Sequence, residues 1–423
     1  MLVAVVATGL LAAGCSSGSS PSASSPIATT TTTPAKARTT AARPGAKDVE
    51  PEQFHGSIAD FYRVPKPLPG AKPGTVIRVQ ALPAGTGPDE AGTTSLRVMY
   101  HSRDSHDHDR AVTGVVTYPD AKAPADGWPV ITSAHGTYGI APQCAPSRTL
   151  TSAPAWGVDG VRVATDYIGL GPVGELHPYL SALDEGHSVL DAVRAARNLA
   201  TVHAGTRYVI VGHSQGGHAA LWAHQLSHTY APELQLLGTA ALAPAAELSK
   251  TYGPIDEIVA NVVSLMAIYG AAANDPTIKP HDYVGPEVQR QERVLTTSCL
   301  AEITKVFSTI PRATFYKARP QDTEPARSMI LASDPGDIAV DAPLLILQGD
   351  QDIRVHPLRT ADLFKRECKS GQVTEYHLFQ GADHDSVLRA SAGTVEAWLQ
   401  ARFAGAQPAN SCPSGKPTVH PAG

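Results

Sequence analysis

Four β-forming residues, Tyr208 to Val211, run without a break into Gly212-His213-Ser214-Gln215-Gly216-Gly217, and a helical pattern follows at once in AALWAHQL. A strand that turns directly into a helix strains the residue at the turn and thrusts it outward. The positions two residues to either side then have no room for a side chain. Gly212 and Gly216 meet that demand. This context places Ser214 at the carboxyl edge of a sheet as a nucleophile. The next amide, on Gln215, falls at a helix N-terminus, where unsatisfied N–H groups and the helix dipole favour an oxyanion.

A serine hydroxyl attacks only when a base within reach takes its proton, so a histidine oriented by a carboxylate is required. In this strand-turn-helix arrangement the chain order is serine, acid, histidine. The apolar run LLILQ ends in Gly349-Asp350-Gln351-Asp352-Ile353-Arg354-Val355-His356-Pro357, which offers Asp352 as the acid with Asp350 as its competitor. Strand-like TEYHLF then leads into Gln380-Gly381-Ala382-Asp383-His384-Asp385 and a final helix, which makes His384 the base. A second oxyanion donor is expected on the loop after an early core strand. PVITSAHGTYG supplies one, with the Thr137 amide preferred and Tyr138 or Gly139 as alternatives.

The surroundings of these motifs read as an α/β domain. β-Branched runs at Thr75 to Leu82, Ser95 to His101 and Ala111 to Tyr118 predict antiparallel opening strands. Thereafter PVITSAHG, VRVATDY, YVIVGHS, LQLLGTAALAP, APLLILQGD and TEYHLF alternate with helical patterns, which predicts a mostly parallel central sheet flanked by helices. The clearest helix follows Ser181. Val189, Leu190, Val193, Ala196 and Ala200 recur there at helical spacing, and Ser181 with Asp184 resembles a capping box. From Glu247 to Asp337 the strand rhythm stops, and helical patches such as DEIVANVVSLMAIYGAAA predict an inserted helical cap. Within it Ile258, Val262, Leu265, Met266 and Ile268 suit core packing better than an acyl tunnel. The expected organisation is a core of residues 48–246 and 338–405, a cap of 247–337 and a C-terminal tail of 406–423.

The apolar stretch MLVAVVATGLLAAG ends at Cys15, as a lipoprotein-type signal peptide of residues 1–15 would, with Cys15 as the lipidated residue. Ala12 stands where such signals usually carry Leu, and no Lys or Arg precedes the apolar run. Its length of about 13 apolar residues falls short of the roughly 20 needed to span a bilayer. Residues 16–47 are rich in Ser, Thr, Ala and Pro and read as a disordered tether. Four cysteines remain, Cys144, Cys299, Cys368 and Cys412, an even number that suits two disulfides in an exported chain. None has zinc-ligand spacing. His101, His106 and His108 with Asp104, Asp107 and Asp109 read as polar turn residues, so neither a metal nor another cofactor is expected. A formal charge of -5 without blocks of like charge argues against nucleic acid as a partner. A monomer acting on a small-molecule or lipid ester, held to a membrane by its N-terminal anchor or released, is the expectation.

Four stretches together resemble one family, the secretory lipases of the fungal lipase A type and their actinobacterial relatives. They are HGTYGIAPQCAPS, ATDYIGLGPVGELHPYLSALDEGHSVLDAVRAAR, GHSQGG, and LQGDQDIRVHP with GADHD. The resemblance implies an α/β-hydrolase core with a helical cap and hydrolysis of carboxylic esters, including acylglycerols. It implies Ser214, Asp352 and His384 as the triad, a bond from Cys144 to Cys299 tying the oxyanion loop to the cap, and one from Cys368 to Cys412. Asp166, Tyr167, His177 and Tyr179 are expected as pocket walls or structural hydrogen-bonding groups. Two rivals use the same residues differently. One is an envelope acyltransferase passing the acyl group to another alcohol, and the other is a lipid-binding lipoprotein without catalysis.

Overall fold

The computed structural model describes residues 50–83, 92–149, 156–250 and 257–422; Cys15 and the 16–47 tether lie outside them. The strands are β1 (Glu52–Gln53), β2 (Val76–Ala81), β3 (Thr93–Arg103), β4 (Asp109–Pro119), β5 (Trp128–Ala134), β6 (Val161–Thr165), β7 (Ala204–His213), β8 (Gln235–Leu242), β9 (Leu344–Gly349), β10 (Thr374–Phe379) and β11 (Thr418–His420). They form one sheet in the order β1-β2-β3-β4-β6-β5-β7-β8-β9-β10-β11. β2, β3, β4 and β6 pair antiparallel, and from β6 through β5 to β11 every pair is parallel. β9, with all six residues buried, shows why its sequence is an unbroken apolar run: helices cover both of its faces.

The chain leaves β5 in one direction to make β6 and returns past it to make β7, so the strand order reverses there. Crevices form at the carboxyl ends of strands at such a reversal. Register brings the rest of the chemistry to the same edge. Ala134 of β5 lies beside Gly212 of β7, and Gly349 of β9 beside Phe379 of β10. The loops bearing Thr137, Ser214, Asp352 and His384 therefore leave one rim of the sheet.

The helix Ala182–Arg197 buries Val189, Leu190, Val193 and Ala196 against the sheet, as its spacing predicts. It differs from expectation at both ends. Ser181 does occupy the N-cap, but its hydroxyl bonds the Asp184 carboxylate instead of a backbone N–H, so no capping box closes. At the other end the helix stops at Arg197. Ala200 falls in the following 3-10 turn and is exposed, while Leu199 takes the buried position.

Between β8 and β9 the described residues carry helices and one isolated bridge, Val284 to Tyr316, and no strand. This cap has its own apolar core, in which Val262, Leu265, Met266 and Ile268 of the helix Ile258–Asn274 pack with Ile303, Phe307 and Phe315. Two disulfides close the fold, Cys144 to Cys299 and Cys368 to Cys412. The second anchors a segment that continues into β11, so the predicted tail returns to the sheet as a parallel edge strand on β10. Cys144 and Cys299 stand 155 residues apart. A cross-link over so long a loop restricts the unfolded chain strongly. The Cys144→Ala/Cys299→Ala double variant should lose about 2–5 kcal/mol of stability. Urea unfolding of oxidised protein checks this, and an unchanged midpoint would show that the bond contributes nothing.

The His and Asp cluster of the β3–β4 hairpin has a structural explanation. Asp104 Oδ1 accepts the backbone N–H groups of His106 and His108, both at 2.9 Å, which closes the turn, and His101 meets Asp109 at 2.9 Å.

Candidate active site

Ser214 closes β7 and caps the helix Gln215–Tyr230 with φ 60° and ψ -120°, a backbone that non-glycine residues rarely adopt. The strain is held in place on both sides. Ser214 N–H donates to Leu242 O at 2.9 Å, and Ser214 O accepts from Ala245 N at 3.0 Å and His218 N at 3.1 Å. A Cβ at Gly212 would stand 1.9 Å from the Gly216 carbonyl oxygen, and one at Gly216 the same distance from that of Ala134. The two glycines are thus required by close backbone approach. Ser214 Oγ has no hydrogen-bond partner among the described residues and lines a cavity of about 840 Å³.

His384 reaches the same cavity from the loop after β10. Its Nδ1 lies 2.7 Å from Asp352 Oδ2, while Nε2 carries no hydrogen bond among the described residues. Asp352 is buried. Its Oδ1 accepts the N–H groups of Arg354 and Val355, both at 2.9 Å, and Oδ2 also accepts Gln348 Nε2 at 3.0 Å. Burial pushes this carboxyl up, but the His384 bond and charge, with the other donors, outweigh it and hold it below the usual aspartate range. Asp350 does different work: it accepts Gly381 N–H at 2.7 Å and joins the two loops.

Further groups hold Asp352 and His384 in place. Gln348 is fully buried, and its Oε1 accepts Thr360 Oγ1 at 2.6 Å, which fixes which end of the amide faces Asp352. His213 Nε2 donates to the backbone carbonyl of His384 at 2.8 Å, with the two rings 4.6 Å apart. Burial, reinforced by the His384 ring, lowers His213 to about 4 and keeps it neutral at pH 7. At the cavity rim Arg354 pairs with both oxygens of Asp385, at 3.0 and 2.8 Å.

The loop after β5 packs directly against Ser214. A Cβ at Gly136 would come within 3.9 Å of Ser214 Cβ, and Gly136, Thr137 and Tyr138 all line the cavity whereas Gly139 does not. Thr137 N–H donates to no acceptor among the described residues, and Thr137 Oγ1 is held by Tyr179 Oη at 2.6 Å. The Cys144–Cys299 bond joins the end of this loop to the start of the cap helix Leu300–Phe307. The cap turns Val259, Ala260 and Val263 to the cavity, and Val263 also packs against the cap's own core.

Asp166 and His177 are both buried hydrogen-bonding groups. Asp166 accepts Ser147 N–H at 2.9 Å and the hydroxyls of Ser147 and Thr113, and burial raises its carboxyl. His177 belongs to a fully buried polar group with Glu185 and His218, which the sequence reading did not single out. Glu185 Oε2 lies 2.7 Å from His218 Nδ1, and Oε1 accepts Leu180 N–H at 3.0 Å and Gln215 Nε2 at 2.8 Å. Burial would raise Glu185, but the His218 charge and the surrounding donors outweigh it and bring it to about 2. The available signal was a carboxylate four residues before Val189 on an otherwise apolar stripe.

A mixed sheet of this order, with a strained serine after β7 and an acid and a histidine after the last two core strands, defines an α/β-hydrolase. The chain belongs to the secretory lipase family, whose model matches residues 157–411 and so takes in Ser214, Asp352 and His384. It is 25% identical over 378 residues, 82% of each chain, to a probable inactive lipase, MT1628, of Mycobacterium tuberculosis. It is 24% identical over 349 residues, 75% of each chain, to the secreted triacylglycerol lipase LIP3 of Malassezia globosa. Among solved structures, Candida antarctica lipase A superposes with a TM-score of 0.72 at 18% identity, covering 85% of this chain and 88% of that one.

Proposed function

We propose that this chain is an extracytoplasmic serine hydrolase that cleaves carboxylic esters, acylglycerols among them, through an acyl-enzyme on Ser214. The observation that carries the reading is the convergence on one apolar-walled cavity of the Ser214 hydroxyl, on a strained turn, and Nε2 of a histidine whose other nitrogen is bonded to Asp352, neither of the two with a hydrogen-bond partner among the described residues. In the proposed cycle His384 Nε2 takes the Ser214 proton as Oγ attacks the ester carbonyl. The Gln215 and Thr137 N–H groups hold the resulting oxyanion. Collapse of the tetrahedral adduct breaks the ester C–O bond, and His384 returns the proton to the departing alcohol. Water, deprotonated by the same nitrogen, then attacks the acyl carbon, the C–Oγ bond breaks, and His384 returns the proton to Ser214 as the acid leaves. Asp352 keeps the His384 proton on Nδ1 and stabilises the imidazolium.

A non-catalytic reading draws support from the mycobacterial relative, which its name describes as a probable inactive lipase. One experiment separates the two. A fluorophosphonate probe reports an activated serine, so it should label the folded wild-type protein stoichiometrically, on the peptide containing Ser214. Folded protein that takes no label would favour lipid binding without turnover.

A further inference from the structure

We infer that Glu185, with His218 as its imidazolium partner, is a positioning element for the oxyanion hole and fastens that hole to the cap. The inference rests on the proposed reading of the Gln215 and Thr137 amides as oxyanion donors.

The protonation states follow from the partners. His218 Nδ1 faces a carboxylate oxygen at 2.7 Å, and His218 Nε2 faces the Ser333 carbonyl at 2.8 Å. Both partners only accept, so both ring nitrogens carry hydrogen and the ring is a cation. His177 Nδ1 donates to Ile168 O at 2.8 Å, which leaves Nε2 bare. Gln215 Nε2 lies 2.7 Å from that bare nitrogen and 2.8 Å from Glu185 Oε1. Its two hydrogens are thereby both engaged, because a carboxylate would repel the amide oxygen.

Gln215 is the first residue of its helix, and its own N–H is the proposed donor. Holding its side chain at two points fixes the rotation of that peptide. The same Glu185 oxygen accepts Leu180 N–H, and the neighbouring Tyr179 holds Thr137 through its hydroxyl. Both proposed donors are therefore referred to one carboxylate. Ser333 ends the cap helix Ala326–Ala332, and its carbonyl also accepts Trp222 Nε1 at 2.9 Å. The ion pair thus joins the nucleophile helix to the cap and reaches the oxyanion loop through Leu180 and Tyr179.

The test compares Glu185→Gln and Gln215→Met with wild type. Three quantities are read for each: kcat and KM on p-nitrophenyl butyrate, and the inhibition constant of an alkyl boronic acid, which adds to Ser214 as a tetrahedral anion. Misplaced donors should lower kcat by about 10- to 100-fold. KM should stay within a few-fold, and the boronate should weaken in proportion to kcat. Gln215→Met keeps the ion pair, so it answers even if Glu185→Gln does not fold. On wild type, 15N-labelled histidine should show one fully buried ring with both nitrogens protonated, absent in His218→Gln. Unchanged kcat in folded Gln215→Met, lowered kcat with boronate binding intact, or a His218 ring with one bare nitrogen would each overturn the inference. Wild-type protein that neither binds boronate nor turns over ester would overturn the acyl-enzyme reading itself, and this one with it.

Discussion

Replacing Ser214 by alanine is expected to lower kcat on a short-chain p-nitrophenyl ester by about 10⁶-fold, leaving only the acceleration that binding and the oxyanion donors give to attack by water. KM should change little, because the cavity walls stay in place. Stability should also hold. The hydroxyl that is removed makes no hydrogen bond among the described residues, and alanine presents the same Cβ to the strained turn. Circular dichroism and urea unfolding would show the fold intact while the ester assay collapses. Near-wild-type turnover in this variant would end the proposed mechanism.

Asp352→Asn is the second large effect, expected at about 10³- to 10⁴-fold in kcat. Each oxygen of Asp352 accepts from at least two groups, so an asparagine amide must place its NH2 against N–H groups whichever way it turns. Placed at Oδ2, it also forces the His384 proton onto Nε2, the nitrogen that must be bare to accept from Ser214. Asp350→Asn is the matched control: its Oδ1 can still accept Gly381 N–H, and activity should stay within a few-fold. The same substitution has a pH signature. Because the folded Asp352 carboxyl lies below its unfolded value, the stability it lends is present above the ordinary aspartate range and lost as pH falls through the depressed value. Asp352→Asn should flatten that part of the acid limb of an unfolding-against-pH curve.

What the sequence reveals here follows from range. The turn at Ser214, the strands around it and the cap are written in local periods and in glycines that only a close backbone approach explains, so they can be read in order. Asp350 and Asp352 are separated by one residue, and only the fold decides between them, by aiming one at Gly381 and the other at His384. Gln348 with Thr360, and Glu185 with His218, were hidden for a different reason. Each pair is a long-range contact between polar residues that in isolation suit a solvated surface, and burial becomes visible only once two elements pack. The Ser181 cap failed because Asp184, three residues on, competes for the same hydroxyl. β11 escaped notice because three residues carry too little pattern.

The borders of the sheet carry a further consequence. β1 has two residues and β11 three, against eleven in β3 and in β4, so the stack tapers at both ends. A neighbouring molecule arriving at either border finds too few free N–H and C=O groups to add a strand in register. At high concentration this protects against end-to-end polymerisation, and a short, disulfide-pinned segment supplies the protection at one end.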